Sequence, residues 1–215
     1  MSDTHDHAHA AGHRHPPQPD HDDTLTYYRK LEMAVRELLI EKGVFTTGDV
    51  RAVVEDIESR TPEGGARVVA RAWTDPHFRE LLLNDATAAC AGMGFEMALY
   101  DVKLTVVENT PDVHNLVVCT LCSCYPRMLL GLPPAWYKSR AYRSRAVHEP
   151  RAVLREFGLE LPEKVAVRVH DSTADLRYLV LPMRPQHTES FTEQELAALV
   201  TRDSMIGTAI LRAPD

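Results

Sequence analysis

The chain has 215 residues, a formal charge of −7 at pH 7 and 44% hydrophobic residues. This length is sufficient for one domain with a sizeable core. The mildly acidic balance provides no basic surplus for nucleic acid, and no apolar run approaches the length of a membrane span. We therefore expect no nucleic-acid or membrane partner. The first residues lack the basic and apolar regions of a signal peptide, so we expect a cytoplasmic location.

Residues 1–23 are rich in His, Asp and Pro, and we expect this tail to be disordered because it cannot bury a core. Its histidines are His5, His7, His9, His13, His15 and His21. One interpretation is an arm that collects metal ions for the rest of the chain. The other, which the composition favours, is a mobile tail that binds divalent ions only adventitiously.

Residues 24–94 carry apolar residues at helical spacing, and we expect an all-helical N-terminal region. The predicted helices run, in order, from Tyr27 to Gly43, onward from Thr47, from the Gly64–Gly65 break through Trp73, and from Asp75–Pro76 to about Gly92 or Gly94. An Asp-Pro pair is typical of an N-cap followed by a first helical turn. Cys90 lies in the last of these segments and is expected to be a packed core thiol.

Residues 95–215 change to short β-prone runs with helices between them. The predicted strands cover 102–108, 114–118, 165–169 and 177–183, and the predicted helices cover 134–145 and 150–157. A capping-box signature at 192–195 begins a last helix through Leu199. Strands with peripheral helices indicate an α+β domain, and we expect it to carry its functional loop at the end of a strand.

Three of the four cysteines lie close together in the segment 118–126, as Cys119, Cys122 and Cys124. In a chain without a secretory signal, such a cluster favours a metal site over a disulfide framework. If the amides of Ser123 and Cys124 lost their protons, two thiolates and two amide nitrogens would surround one ion in a plane. Cys119 would then cap one axial side and leave the opposite side open.

Deprotonated amides require a strongly Lewis-acidic ion with tetragonal or octahedral geometry, which makes zinc a poor candidate. A structural zinc or iron–sulfur site remains an alternative, but it needs a fourth ligand such as His114 or Cys90. Three buried cysteines without a metal are a weaker alternative, because this density of thiols serves no packing purpose.

The segment 118–126 resembles the metal-binding loop of the nitrile hydratase α-subunit family in its cobalt form. The resemblance continues through 68–76, 85–89, 131–139, 142–145 and 201–207, so only the N-terminal tail lies outside it. Thr120 and Tyr125 resemble the cobalt branch, whereas the iron branch more often has Ser and Thr. The resemblance implies a helical N-terminal arm packed on a layered α-β-β-α domain.

The resemblance also implies one Co3+ per chain, bound by Cys119, Cys122, Ser123 and Cys124. In the family, the counterparts of Cys122 and Cys124 are oxidised to sulfinic and sulfenic acids, and the counterpart of Cys119 stays a thiolate. A small nitrile is then hydrated to its amide, and the nucleophile is either the Cys124 sulfenate oxygen or an activated water. The catalytic candidates are therefore Cys124, Cys122 and Ser123.

The implied partners are a β-type subunit, whose arginines hydrogen-bond the oxidised cysteines, and an activator that inserts cobalt. Within this chain, Arg143 and Arg145 are candidates for charge-assisted contacts to oxidised sulfur or to the partner, although ordinary surface arginines are an equal alternative. Arg127 places a positive charge near the mouth of the pocket, where cobalt nitrile hydratases often have Trp.

The remaining conspicuous residues receive structural interpretations: Trp136 and Tyr137 as packing, and His114, His148 and His170 as histidines without a ligand pattern. Arg127 and the His-rich tail also resemble the γ subunit of thiocyanate hydrolase, so that activity is the alternative. A third interpretation is a non-catalytic metal or redox module, whose cysteines hold zinc or sense oxidants.

Overall fold

A computed structural model of the chain describes residues 25–95 and 102–213. The predicted His-rich tail, residues 1–23, lies outside the described residues, as does the segment 96–101. The described residues mix helices with four short strands, which confirms the mixed α and β composition expected from the sequence. In this part of the chain, no helix combines the length and the apolar composition needed to cross a membrane.

The N-terminal region is helical, as predicted. Its helices are α1 (Tyr27–Glu41), α2 (Thr47–Ser59), α3 (Glu63–Thr74), α4 (Pro76–Asn84) and α5 (Ala86–Gly92). Thr46 begins α2 with a reciprocal capping box to Asp49, and Asp75 accepts backbone N–H bonds that begin α4. Helices α1 and α2 have no buried residues, whereas one face of α3 is buried in the core.

The prediction that Gly64 and Gly65 break the chain before the third helix is wrong, because both lie inside α3. A Cβ added to Gly65 would lie 2.6 Å from Leu130 Cδ2 and 2.7 Å from Met205 Sδ. A Cβ at Gly65 would therefore force the side chains of Leu130 and Met205 to move, so Gly65 favours the close approach of α3 to the C-terminal elements. This approach is a tertiary contact, which local helix propensity does not report.

The single helix predicted from Asp75 to about Gly92 is also interrupted. The chain leaves helical geometry at Asp85, and its side chain accepts a hydrogen bond from Ala88 N to begin α5. Cys90 lies in α5 and is fully buried, which confirms the expected core thiol. Burial raises the pKa of Cys90 to about 12, so this thiol stays protonated at neutral pH.

The four strands form two separate parallel pairs. They are β1 (Lys103–Glu108), β2 (Val113–Val118), β3 (Ala166–Asp171) and β4 (Leu176–Leu181). β1 pairs with β4, and β2 pairs with β3 in a register that places Val118 opposite Asp171. Each strand was predicted to within two residues at both ends. Because the pairs are parallel, the carboxyl ends of β2 and β3 lie side by side.

Six short helices complete the described chain: α6 (Arg127–Leu130), α7 (Ala135–Lys138), α8 (Arg140–His148), α9 (Pro150–Glu156), α10 (Glu193–Leu199) and α11 (Arg202–Ile206). The predicted helix 134–145 is two helices, because Ser139 leaves helical geometry and caps α8 through Tyr142 N. Thr192 and Glu195 form the predicted capping box of α10. The sequence analysis did not anticipate α6 or α11.

One core joins the two halves of the chain. It contains Val68 and Val69 of α3, Leu116 of β2, Leu179 of β4 and Ile206 of α11, all almost completely buried. β2 is buried from His114 to Val118, so the strand that leads into the cysteines is enclosed on both faces. The cysteine loop therefore starts from one of the most firmly packed segments described.

Candidate metal centre

The cysteine loop, defined here as residues 119–124, begins at the carboxyl end of β2, which confirms its predicted place at the end of a strand. Cys119 is fully buried, Cys124 is 8% exposed, and Cys122 is exposed. The three sulfur atoms all lie within 4.8 Å of one another. The loop thus gathers three sulfurs at one point, with part of the set open to the outside.

The sulfur separations test which coordination geometry fits. Cys122 Sγ lies 3.6 Å from Cys119 Sγ and 3.2 Å from Cys124 Sγ. Two sulfurs bound to one ion at about 2.3 Å are about 3.3 Å apart at a right angle and about 3.8 Å apart at the tetrahedral angle. The shorter separation fits a right angle, and the longer one lies between the two values. Both separations fit sulfurs bound to one ion, and the shorter one fits the right angle of tetragonal or octahedral coordination.

No fourth side-chain ligand joins the cluster within the described residues. His114 donates from Nε2 to the carbonyl of Gly207 at 2.7 Å, and Cys90 is buried in α5. The fourth ligand that a structural zinc site needs is not supplied by either residue that the sequence offered. By contrast, the backbone amides of Ser123 and Cys124 lie close enough to the Cys122 sulfur to help lower the pKa of Cys122.

The thiols of Cys122 and Cys124 differ in their affinity for protons. Hydrogen bonding from the Cys124 thiol is the main cause that lowers the pKa of Cys122. Burial, followed by the hydrogen bond to Cys122, raises the pKa of Cys124 to about 12. Cys122 is therefore the preferred thiolate. A metal that binds all three sulfurs has to displace the proton from Cys124.

A cavity of about 490 Å³ lies against one side of the loop. Cys122, Ser123 and Cys124 line it, but Cys119 does not. Cys119 is instead buried behind the loop. The cavity therefore meets the Cys122–Cys124 part of the loop, and the capping role of Cys119 stays a prediction.

Side chains from two helices, α7 and α8, hold the loop in place. Tyr137 Oη donates to the carbonyl of Cys124 at 2.9 Å, and Arg143 Nη1 donates to the carbonyl of Cys122 at 2.9 Å. Tyr142 Oη donates to the carbonyl of Val117 at 2.7 Å, just before the loop. Because Tyr137 and Tyr142 are buried, leaving these carbonyls without donors costs about 1–3 kcal/mol each. The loop is thereby fixed through its backbone carbonyls, and these side chains make no bond to its sulfurs.

Asp171 anchors the other end of the loop. Its carboxylate accepts from Thr120 N at 2.9 Å and from Thr120 Oγ1 at 2.6 Å. The parallel register makes this contact, because Asp171 lies opposite Val118 and therefore next to the residues that follow it. Charge-assisted hydrogen bonds of this kind are short and orient the groups they join.

We expect Asp171→Ala to accelerate the loss of bound cobalt by about tenfold, because the Thr120 end of the loop loses both acceptors. The measurement is the rate of cobalt transfer to a chelator, with the melting temperature followed in parallel. Asp175→Ala is the matched control, since Asp175 is exposed and its carboxylate makes no hydrogen bond or ion pair within the described residues. Equal rates for both variants and the unmodified chain would contradict the anchoring role.

The structure separates the three arginines singled out from the sequence. Arg143 touches the loop directly, and Arg127 lies in the wall of the cavity. Arg145 is directed elsewhere, because its guanidinium bonds to Glu149, between α8 and α9, and to Glu156 at the end of α9. The surface interpretation therefore describes Arg145 better than contact with the site.

Four residues of the site were missed by the sequence analysis or given only a packing role. They are Tyr137, Tyr142, Asp171 and Arg177, the last of which lines the cavity. Tyr137 is indeed packed, within a cluster of aromatic rings, but its hydroxyl also reaches the loop. A buried Tyr hydroxyl usually makes a hydrogen bond, so a Tyr in a buried segment predicts that some acceptor lies nearby. The sequence does not indicate which backbone carbonyl accepts the hydrogen bond from Tyr137.

The histidines behave as their structural interpretation states. His114 and Asn109 form a buried network beside β2, and His170 donates to Asn115 Oδ1 at 2.8 Å. Burial lowers the pKa of His114 and of His170, so both favour the neutral form. His148 is exposed at the end of α8.

Comparison with known proteins places these features in a family. The family model for the nitrile hydratase alpha chain matches residues 26–209. The low-molecular-weight cobalt-containing nitrile hydratase subunit alpha of Rhodococcus rhodochrous is 51% identical over 182 residues, which cover 84% of this chain and 87% of that protein. The thiocyanate hydrolase subunit gamma of Thiobacillus thioparus is 45% identical over 190 residues, which cover 84% of this chain and 78% of that subunit.

Solved structures agree with the sequence relatives. A double mutant of the iron-type nitrile hydratase from Comamonas testosteroni Ni1 aligns with a TM-score of 0.81 at 42% identity, covering 90% of this chain and 94% of that one. A recombinant thiocyanate hydrolase with partially modified cobalt centres aligns with a TM-score of 0.79 at 42% identity, covering 89% and 95%. By its sequence, its fold and its three converging sulfurs, this chain belongs to the nitrile hydratase α-chain family.

Proposed function

We propose that this chain is the α subunit of a cobalt nitrile hydratase, which adds water to a nitrile to form the corresponding amide. The observation that carries the proposal is the convergence of three cysteine sulfurs beside a cavity, in a chain whose relatives are named as cobalt-containing nitrile hydratases. One Co3+ is held by Cys119, Cys122 and Cys124 through sulfur and by Ser123 and Cys124 through amide nitrogen. Bound cobalt supplies Lewis acidity at the open side of the site.

The residues of the chain supply position and protection. Tyr137, Arg143 and Asp171 fix the loop through its backbone, so the sulfurs keep one arrangement while substrate enters and product leaves. The apolar part of the cavity wall excludes water from the nitrile carbon except at the open side. Cys124, in the wall and nearly buried, is the group placed to face the substrate.

The oxidation of the cysteines is part of the proposal, with Cys122 as the sulfinic acid and Cys124 as the sulfenic acid. Oxidation follows thiolate character and exposure, and Cys122 is the exposed cysteine of the loop. Cys124 is only 8% exposed, which supports an oxidation that stops one step earlier, at the sulfenic acid. Cys119 is fully buried and stays a thiolate. A sulfenate beside free thiols would normally condense with them, so enclosure and metal binding are what preserve it.

A β-type partner subunit completes the proposed enzyme, and a cobalt-inserting activator loads it. The exposed apolar side chains of α1 and α2 are evidence for such a partner, because a monomeric protein rarely exposes so many of them together. These side chains are Tyr27, Tyr28, Leu31, Val35, Leu38, Val53 and Val54. Cys122 and Leu121 are exposed as well, so the outer rim of the site is open in this chain alone.

The division of the chain is proposed in the same terms. A His-rich tail covers 1–23, a helical N-terminal region covers 24–94, and the metal-binding catalytic domain covers 95–215. The α-β-β-α layering implied by the resemblance is proposed for the catalytic domain in the assembled enzyme.

Titration of the purified β-type partner into the cobalt-loaded chain tests the proposal. We expect amide formation from a small nitrile to rise at least about tenfold in kcat/KM, since the partner encloses the site and supplies donors to two sulfur oxyacids. Metal analysis and intact mass should give one cobalt per chain and added oxygen on the peptide with Cys122 and Cys124. Full activity without a partner would contradict the role of the interface.

Thiocyanate hydrolysis is the second candidate, favoured by the 45% identity to a thiocyanate hydrolase γ subunit and by Arg127 in the cavity wall. Carbonyl sulfide released from thiocyanate, with no amide from any nitrile, would replace the proposed function by this one. Stoichiometric zinc with three alkylatable thiols would instead support the non-catalytic module.

A further inference from the structure

Among the described residues, the wall of the cavity beside the cysteine loop carries three arginines and no carboxylate. The arginines are Arg60, Arg127 and Arg177. Much of the remaining wall is apolar, with Ile57, Val102, Leu104, Met128 and Leu132. A volume of about 490 Å³ is within the range of small-molecule sites, in which a few polar groups on an apolar wall determine the ligand. The charges on this wall are all positive.

Two of the three arginines already have a role. Arg60 forms an ion pair with Asp56 at 2.5 Å, and its Nη1 lies 2.7 Å from Met128 Sδ. Arg177 donates to the backbone carbonyls of Thr173 and Leu176. These bonds hold the Arg177 guanidinium against the backbone of its own turn.

Arg127 is different. It is the first residue of α6, it is exposed, and its guanidinium makes no hydrogen bond or ion pair with any residue in 25–95 or 102–213. Its backbone N–H, by contrast, is fixed by the carbonyl of Tyr125 at 2.8 Å, immediately after the loop. The described residues thus place a guanidinium with five donors on the wall of the site and supply no acceptor for it. An anionic group on the substrate is the acceptor that fits.

We propose that the preferred substrate is a nitrile that also carries a carboxylate, and that Arg127 binds this carboxylate while the nitrile faces Cys124. The inference rests on the proposed function and names the substrate class of the same site. The reaction is unchanged: one water adds across the C≡N bond, the carbon becomes an amide carbonyl, and nitrogen keeps both added hydrogens after tautomerisation. The carboxylate takes no part, and no oxidant or reductant is consumed.

The test compares 4-cyanobutanoate with pentanenitrile, a neutral nitrile of similar length, in the cobalt-loaded complex with the β-type partner. The readout is the ratio of the two kcat/KM values. We expect Arg127→Met to lower this ratio at least about tenfold, because a charge-assisted pair in a partly enclosed site is lost. Arg127→Lys should retain most of the preference. Arg155→Met, an exposed arginine on α9, is the control and should leave the ratio unchanged.

Two further measurements use the same proteins. The ratio for the unmodified enzyme should fall as salt is raised, because screening acts only on the charged substrate. Calorimetric binding of butanoate, which lacks a nitrile, should weaken in Arg127→Met to the same degree as the kinetic ratio. This readout does not depend on turnover.

The outcomes separate the two proposals. If pentanenitrile is hydrated and the ratio is the same in the unmodified enzyme and in Arg127→Met, the carboxylate inference is overturned and the nitrile hydratase function stands. If neither nitrile is hydrated, both are overturned. Consumption of thiocyanate without hydration of either nitrile also overturns both, and assigns the cationic wall to thiocyanate itself.

Discussion

Cobalt should be lost from the chain when any one of Cys119, Cys122 or Cys124 is replaced by alanine. Each substitution removes one of the three sulfurs that lie within 4.8 Å of one another, and no other side chain among the described residues joins them. The remaining two sulfurs and the backbone do not enclose a trivalent ion on their own. We expect less than about one tenth of the normal cobalt content after gel filtration, and amide formation below detection in the complex with the partner.

Cys90→Ala is the matched control for these variants. It removes the fourth cysteine of the chain, which is buried in α5 away from the sulfur cluster. It should keep full cobalt content and lose only about 1 kcal/mol of unfolding free energy, as expected for a small cavity. Cys122→Ser and Cys124→Ser should retain some cobalt but no oxidised-sulfur chemistry. A Cys124→Ala protein with one cobalt per chain would contradict the proposed ligand set.

The sequence was most informative where structure depends on neighbours along the chain. Thr192 with Glu195, and Asp75 with Pro76, begin helices at the predicted positions because a cap satisfies backbone groups within one turn. The strands were also located, since apolar β-prone runs are local. Their pairing into β1 with β4 and β2 with β3 was not predicted, because pairing joins residues more than 50 positions apart.

The errors in the fold have the same origin. Helix propensity predicts that Gly64 and Gly65 break a helix. In the structure both lie inside α3, where a Cβ at Gly65 would crowd the side chains of Leu130 and Met205. Ser139 and Asp85 divide segments whose apolar spacing continues through them. In both cases the side chain accepts a backbone N–H bond and caps the helix that follows, which offers the chain an alternative to one continuous helix.

The site divides in a similar way. Its ligand atoms were readable because Cys119, Cys122 and Cys124 lie within six consecutive residues, and their spacing alone restricts the geometry. The residues that hold the loop were not readable, because Tyr137 and Asp171 are 13 and 51 positions from their acceptor or donor in the loop. The cavity wall likewise combines residues from α2, the cysteine loop and the start of β4.

The second large effect is expected at Gly207, whose backbone supports the strand that leads to the cysteines. Gly207 ends α11 in the left-handed region, with φ of 93°, and a Cβ there would lie 1.9 Å from the carbonyl oxygen of Asn115 on β2. Its own carbonyl accepts the hydrogen bond from His114 Nε2, so β2 and α11 are tied at this point. Gly207→Ala therefore adds both backbone strain and a clash with a central strand.

We expect Gly207→Ala to lower the free energy of unfolding by about 2–5 kcal/mol, from about 1–2 for the left-handed alanine and about 1–3 for overpacking. The melting temperature should fall by roughly 4–20 °C, since each kcal/mol shifts it by about 2–4 °C in a chain of this size. Gly158→Ala is the matched control: its φ is 80°, but nothing lies within 4 Å of the added Cβ. Gly158→Ala should therefore lower the free energy of unfolding only by the cost of the left-handed backbone, about 1–2 kcal/mol. The difference between the two variants, measured by thermal and urea unfolding, isolates the contact with β2. Equal losses of stability would show that this contact does not limit the fold, and that the strand leading to the cysteine loop yields to an added methyl group.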